Sequence, residues 1–270
     1  MNLAKRFRVA PGTKVRLADW ETDTHPGLDG KDAGRERLAE NVARLQDLQY
    51  LLYAEGERAL LVVLQAMDAG GKDGTVRHVF GPLNPQGVRV TSFTTPTAEE
   101  LAHDFLWRVH KVAPRKGMIG VFNRSHYEDV LIVRVHDLVP KAVWSRRYDQ
   151  INAFEETLAE AGVTILKFFL HISKEEQMER FRKRLEKPKK RWKFSPADFE
   201  EREHWDAYRK AYEAVLSRCA TPHAPWFIVP ADRKWYRNAA VSEILRETLQ
   251  GMDLAYPEPT VDLSQYAVEA

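Results

Sequence analysis

The sequence predicts an α/β fold of three layers, in which a mostly parallel, five-stranded sheet is covered by helices on both faces. Short apolar runs of strand length alternate along the chain with longer stretches of helical spacing. The first run, Ala59 to Gln65, shows no apolar–polar alternation, so both its faces must be buried. A glycine-rich turn carrying a lysine follows it and opens a helix. Strands separated by helices require crossover connections, which make neighbouring strands parallel.

The elements follow in order. Residues 1–34, rich in Pro, Gly, Asp and Thr, read as an irregular N-terminal arm. Over 35–55, Leu38, Val42, Leu45, Leu48, Leu51 and Leu52 recur at three- and four-residue spacing, which predicts an amphipathic helix. Strands are expected at 59–65, 88–93, 117–123, 164–172 and 226–229. Helices are expected at 74–80, 97–111, 140–161, 174–186, 198–218 and 234–250. Residues 255–270, with Pro257 and Pro259, read as a tail. The whole, 1–270, is expected to be a single domain.

Composition bounds the function. The chain has 270 residues and 44% apolar content, enough for a full core. Its 41 basic and 39 acidic residues nearly cancel, so an anion-binding surface must come from local clustering. A nucleic-acid binder would be more basic, and no nucleic-acid partner is expected. One cysteine, Cys219, excludes an internal disulfide and a cysteine-rich metal site. The first residues lack the apolar core of a secretory leader, and no apolar run nears the ~20 residues of a membrane helix. A soluble, cytoplasmic protein is the expectation.

Ligands of parallel sheets sit beyond the carboxyl ends of the strands. After the first strand comes Ala66-Met67-Asp68-Ala69-Gly70-Gly71-Lys72-Asp73-Gly74-Thr75. A phosphate-binding loop reads Gly, four residues, Gly-Lys, then Ser or Thr. Here Gly71-Lys72 match, Ala66 stands in the first glycine slot, and Asp73 holds the hydroxyl slot with Thr75 two residues on. Residues 69–75 are the candidate phosphate cradle. Asp68 would repel phosphate unless a cation lay between them. It reads as a Mg²⁺ ligand or an acceptor-orienting base, against the plainer role of a turn or helix cap.

After the third strand comes Asn123-Arg124-Ser125-His126-Tyr127-Glu128-Asp129. Phosphate-loop enzymes commonly end a neighbouring strand with a metal-associated carboxylate; that slot here holds the amide Asn123. Arg124 can grip phosphate oxygens bidentately. Glu128 and Asp129 lie a helical turn further, within expected reach of the same pocket, or serve as first-turn acids. His126 reads as structural.

Between the fourth and fifth strands, residues 180–205 concentrate cations: Arg180 and Arg184 share a helix face, and Lys187, Lys189, Lys190, Arg191 and Lys193 follow. Ser195 is the expected cap of the next helix. The segment reads as a helical lid over phosphates, against a solvated face or a nucleic-acid patch interleaved with Trp192 and Phe194. Residues 232–238 add further cations at the same edge, with functional and structural readings equally open.

Together these segments resemble the polyphosphate kinase type 2 family. The matching stretches are 66–75, 122–129, Lys167 to Ser173, Arg191-Trp192-Lys193-Phe194, Ala224-Pro225-Trp226 and Trp235-Tyr236-Arg237-Asn238, in a region spanning about 36–250. The resemblance implies a three-layer, thymidylate-kinase-like P-loop kinase fold with a lid, using inorganic polyphosphate and Mg²⁺, with Mn²⁺ as a substitute. It implies metal, phosphate and acceptor roles for Asp68 and Lys72, and chain-gripping roles for Arg124, Arg180 and Arg184. Most members of the other classes carry aspartate where this chain has Asn123, and asparagine where it has Glu128. The pairing found here resembles class III, whose members phosphorylate nucleoside monophosphates as well as diphosphates. The implied reaction is AMP to ADP to ATP, extending to GMP and GDP, in a homo-oligomer, a tetramer. An ATP-dependent nucleoside monophosphate kinase on the same scaffold is the rival reading. A P-loop switch is a further one, although no Asn-Lys-x-Asp guanine-reading motif occurs.

Overall fold

In the computed structural model, which describes residues 2–263 and 266, the predicted sheet forms with all five strands parallel. The strands are β1 (Ala59–Gln65), β2 (Val88–Ser92), β3 (Ile119–Asn123), β4 (Val163–His171) and β5 (Trp226–Pro230), in spatial order β2-β3-β1-β4-β5. β1 is central, hydrogen-bonded to β3 on one side and β4 on the other, and every one of its residues is buried. That is why its sequence is apolar without alternation. β2 is the open edge, and Arg89, Val90 and Ser92 are exposed there. Because the strands run parallel, the segments after β1, β3, β4 and β5 emerge along one rim. The order reverses beside β1, the place where such sheets bind ligands.

The main helices are α1 (Lys31–Glu55), α2 (Lys72–Thr75), α3 (Lys141–Glu160), α4 (Lys174–Glu186), α5 (Pro196–Glu203), α6 (Trp205–Arg218) and α7 (Lys234–Gln250). α7 is buried from Tyr236 through Leu245. α1 docks on it through Asn41 to Ser242 at 3.1 Å and Arg37 to Glu243 at 2.8 Å. Gly34 of α1 lies so close to Trp235 that a Cβ there would meet the ring at 2.2 Å. No helix among the described residues is long and apolar enough to cross a membrane.

Several expectations need correction. Residues 1–34 are not simply irregular: Leu3–Phe7 is helical, Leu17–Asp19 is a 3₁₀ turn, and α1 starts at Lys31. Leu3, Phe7, Val9, Val15 and Leu17 are buried, and the Val9 N–H donates to Trp226 O at 2.8 Å. The arm thus covers the edge of β5 that would otherwise stay unpaired. The helix expected at 97–111 is two short turns, Ala98–Leu101 and Trp107–His110, because the Asp104 side chain accepts from the Leu106 N–H between them. The 198–218 helix breaks at His204, and the 74–80 helix is α2 followed by a π turn, Val76–Phe80. Ser195 occupies the cap position of α5 but its side chain makes no capping bond; Pro196 starts the helix. The expected tail lies partly outside the described residues.

Candidate active site

The loop after β1 is shaped by close approaches. The Gly70 N–H donates to Met67 O at 2.9 Å, and a Cβ on Gly70 would stand 2.4 Å from that of Ala66. Ala69 takes φ 58° and Gly71 φ 106°; left-handed backbone is easy for glycine and costs an alanine about 1 kcal/mol or more. Lys72 folds back across the loop, its Nζ donating to Ala66 O at 2.9 Å. Burial lowers its pKa, Arg124 adds to that, and Asp68, Glu128 and Asp73 oppose it.

Asp73 bridges three elements. Its carboxylate accepts from Asn123 Nδ2 at 3.0 Å and from Lys193 Nζ at 3.0 Å. Burial pushes that carboxyl up, but the two hydrogen bonds and the Lys193 charge hold it below the usual range. The chain after β3 turns at Arg124, whose φ of 61° aims the guanidinium at Asp68, 3.1 Å away. Gln177 of α4 pins the backbone carbonyl of Asp68 at 2.9 Å.

A fully buried polar cluster anchors the turn carrying Glu128. Lys167 of β4 donates to Glu155 of α3 at 2.5 Å, to Tyr127 Oη at 2.8 Å and to Cys219 O at 2.7 Å. Glu155 also bonds Tyr127 Oη at 2.9 Å and His126 Nε2 at 3.1 Å. Burial lowers the pKa of His126, so it stays neutral, and its contacts are those of a structural residue.

Two cavities meet at the Asp68–Arg124 pair. The larger, about 850 Å³, lies between the glycine loop and residues 183–198. Eleven Lys or Arg side chains line it against three Asp, a charge balance that suits an anion. The smaller, about 200 Å³, is walled by Glu128, Trp205, Tyr208 and Tyr212. Asp68, Arg124 and Asp198 line both. Tyr208 and Tyr212 are neutral phenols, their pKa raised first by burial.

Of the residues singled out in the sequence, Asp68, Ala69, Gly70, Gly71, Lys72, Asp73, Gly74, Asn123, Arg124, Arg180 and Arg184 line the larger cavity, and Glu128 the smaller. Two depart from expectation. Thr75 is buried and lines neither cavity. Asp129 pairs with Arg147 at 2.8 Å, and burial pushes its carboxyl up to about 6. Arg180 lines the larger cavity and is tied to the loop there, donating to Glu176 at 2.7 Å, Ala69 O at 2.8 Å and Asp232 O at 3.1 Å. Sequence reasoning missed Lys234 and Arg237 as cavity residues in their own right. It also missed Tyr208 and Tyr212, whose four-residue spacing on one helix face was the available signal.

The sequence model described as polyphosphate kinase 2 matches residues 29–257. The chain belongs to the polyphosphate kinase 2 family. It is 54% identical over 266 residues to the AMP/ADP-polyphosphate phosphotransferase of Meiothermus ruber, covering 98% of this chain and all of that one. It is 48% identical to the ADP-polyphosphate phosphotransferase of Rhodopseudomonas palustris, covering 95% and 93%. The crystal structure of polyphosphate kinase 2 from Arthrobacter aurescens superposes with a TM-score of 0.94 at 46% identity, covering 98% of this chain and 95% of that one. Family membership makes the chain a phosphotransferase of the P-loop kinase fold. The N-terminal arm lies largely before the matched family region, although the relatives share it.

Proposed function

We propose that this polyphosphate kinase 2 transfers the terminal phosphoryl group of inorganic polyphosphate to AMP and ADP, with GMP and GDP as further acceptors. The observation that carries the reading is the pair of unlike cavities joined at Asp68 and Arg124. A polyphosphate chain is a repeated anion without base or sugar, and a cleft rich in Lys and Arg suits it. A nucleotide needs apolar and hydrogen-bonding walls, which Trp205, Tyr208 and Tyr212 supply. Transfer requires donor and acceptor in line with the charge neutralised between them, and the shared boundary is where that meeting would occur.

In this reading Lys72 and the glycine loop hold the donor's outer phosphates. Arg124 follows the transferring group, Asn123 and Asp73 set the loop's position, and Glu128 contacts the acceptor. Among the described residues no three His, Cys, Asp or Glu side chains form a cage for a metal ion. Mg²⁺ in phosphoryl transfer is commonly held by one or two carboxylates plus substrate phosphates, so Asp68 suits it, with Mn²⁺ as a substitute. Such an ion would neutralise phosphate charge. Arg184, bonded to Asp198, and Lys193, bonded to Asp73, belong to the lid at 180–205 that closes the larger cavity and keeps water out. A cytoplasmic homo-oligomer, a tetramer, completes the proposal.

The test is a donor–acceptor matrix with Mg²⁺, using polyphosphate or ATP as donor and AMP, ADP, GMP or GDP as acceptor, with nucleotide products separated and quantified. ADP followed by ATP from polyphosphate and AMP is expected. Product from ATP alone as donor would overturn the reading in favour of a conventional nucleoside monophosphate kinase.

A further inference from the structure

A charge taken out of water must be paired, or its burial is strongly unfavourable. Five basic side chains are buried among the described residues: Lys72, Arg108, Lys167, Arg180 and Arg237. Three have an acid within ion-pair distance: Arg108 with Glu100 at 3.6 Å, Lys167 with Glu155 at 2.5 Å, and Arg180 with Glu176 at 2.7 Å. Lys72 and Arg237 have none among the described residues, and both line the larger cavity. Lys72 has a ready explanation, since its counter-charge is the phosphate its loop is built to hold.

Arg237 is in the same state and is 2% exposed. Its Nε and Nη2 both donate to the neutral Asn238 Oδ1, at 3.1 and 2.8 Å. The guanidinium packs against the phosphate loop, Nη1 donating to Gly70 O at 3.5 Å: a Cβ on Gly71 would stand 1.8 Å from Nη1, and one on Gly74 2.9 Å from Nη2. Both glycines therefore admit the arginine, and Gly71 also turns the chain. Burial, reinforced by the Arg180 charge, pushes the Arg237 pKa down to about 9.

We propose that bound polyphosphate is the missing counter-anion of Arg237, which holds the donor chain on the glycine loop together with Lys72. This rests on the donor reading given above. It assigns Arg237 to donor binding and leaves the acceptor pocket untouched. Its signature is a pair of opposite effects: removing the charge relieves the free protein and weakens the donor complex.

The experiment follows thermal unfolding of wild type, Arg237→Met and Arg237→Lys, with and without long-chain polyphosphate, alongside KM for polyphosphate and for AMP. Wild type is expected to gain melting temperature with polyphosphate. Free Arg237→Met is expected to melt no lower than free wild type and to lose most of that gain. Its KM for polyphosphate should rise about tenfold or more, with KM for AMP unchanged. Arg237→Lys should fall between. An unchanged polyphosphate gain in Arg237→Met overturns the proposal. So does a free variant that melts lower than wild type or fails to fold, since the guanidinium would then be a packing element. Absence of any gain in wild type would instead refute polyphosphate as the donor.

Discussion

The two cavities on either side of Asp68 and Arg124 differ in almost every physical respect. The larger is wide and lined by cations on the glycine loop, the segment 180–193 and the start of α7. The smaller has a quarter of the volume, or less, and beyond the shared Asp68, Arg124 and Asp198 is walled by two phenols, an indole, Glu128, Glu201 and Arg202. Long-range charge, which needs little exact fit, governs the first; shape and hydrogen bonding govern the second. Substitutions should therefore separate into those that act on both sides, on the frame, on the acceptor side and on the donor side.

The largest effect is expected where the sides join. Asp68→Asn keeps the size of the side chain and removes the charge that would hold Mg²⁺ and orient Arg124. We expect kcat to fall about a thousandfold with circular dichroism and melting temperature unchanged. Near-normal turnover would remove Asp68 from the mechanism and the comparison with it.

Next comes the frame under the acceptor side. Lys167→Met leaves Glu155 fully buried without its cation, which should cost about 3 kcal/mol, read by urea unfolding. The double change Lys167→Met/Glu155→Gln should recover part of the loss, since no charge is then stranded. A single variant as stable as wild type would show that His126 takes over the pairing.

Glu128 tests the acceptor side alone. Glu128→Asn is expected to lower kcat/KM with AMP roughly tenfold or more. Its kcat/KM with ADP and its KM for polyphosphate should stay close to wild type. Equal losses on AMP, ADP and polyphosphate would mean that the two cavities do not work separately.

The same division explains what was legible in the sequence. Both faces of β1 are buried, and the apolar run at 59–65 says so without help from elsewhere. The residues immediately after β1 and β3 could be named because parallel topology dictates which ends carry ligands. Asp73, Asn123 and Lys193 come together only through folding, and no local pattern reveals their bond network. The spacing of Arg180 and Arg184 marks a shared helix face, but the bonds of Arg180 to backbone carbonyls of two other loops arise only on folding. Arg237 stayed ambiguous because burial and the absence of an acid are properties of the packed chain. The arm at 1–34 reads as irregular because its Pro and Gly separate Leu3, Phe7, Val9, Val15, Leu17 and Leu28, which are buried only once the arm packs on the rest of the fold.

The smallest expected effect lies at the rim of the donor cleft. Burial lowers the pKa of Lys234 to about 8, with Arg180, Lys190 and Arg237 adding to the shift and Glu176 opposing it. Below pH 8 the ammonium is charged and available to polyphosphate; above it the free enzyme loses that cation. Bound polyphosphate restores the proton by raising the pKa, so the loss is confined to the unbound enzyme. The expected profile is a kcat/KM for polyphosphate that is level below pH 8 and falls roughly two- to fourfold above it, while kcat stays flat. Lys234 is exposed at the rim even though its surroundings are dense enough to lower its pKa, and that exposure keeps the effect modest. Lys234→Gln should abolish the break near pH 8, and because titration of the substrate is common to both proteins, their ratio isolates the side chain. A break that survives in Lys234→Gln would move the titration to another group of the cleft, with Lys72, whose pKa burial also lowers, the next to change.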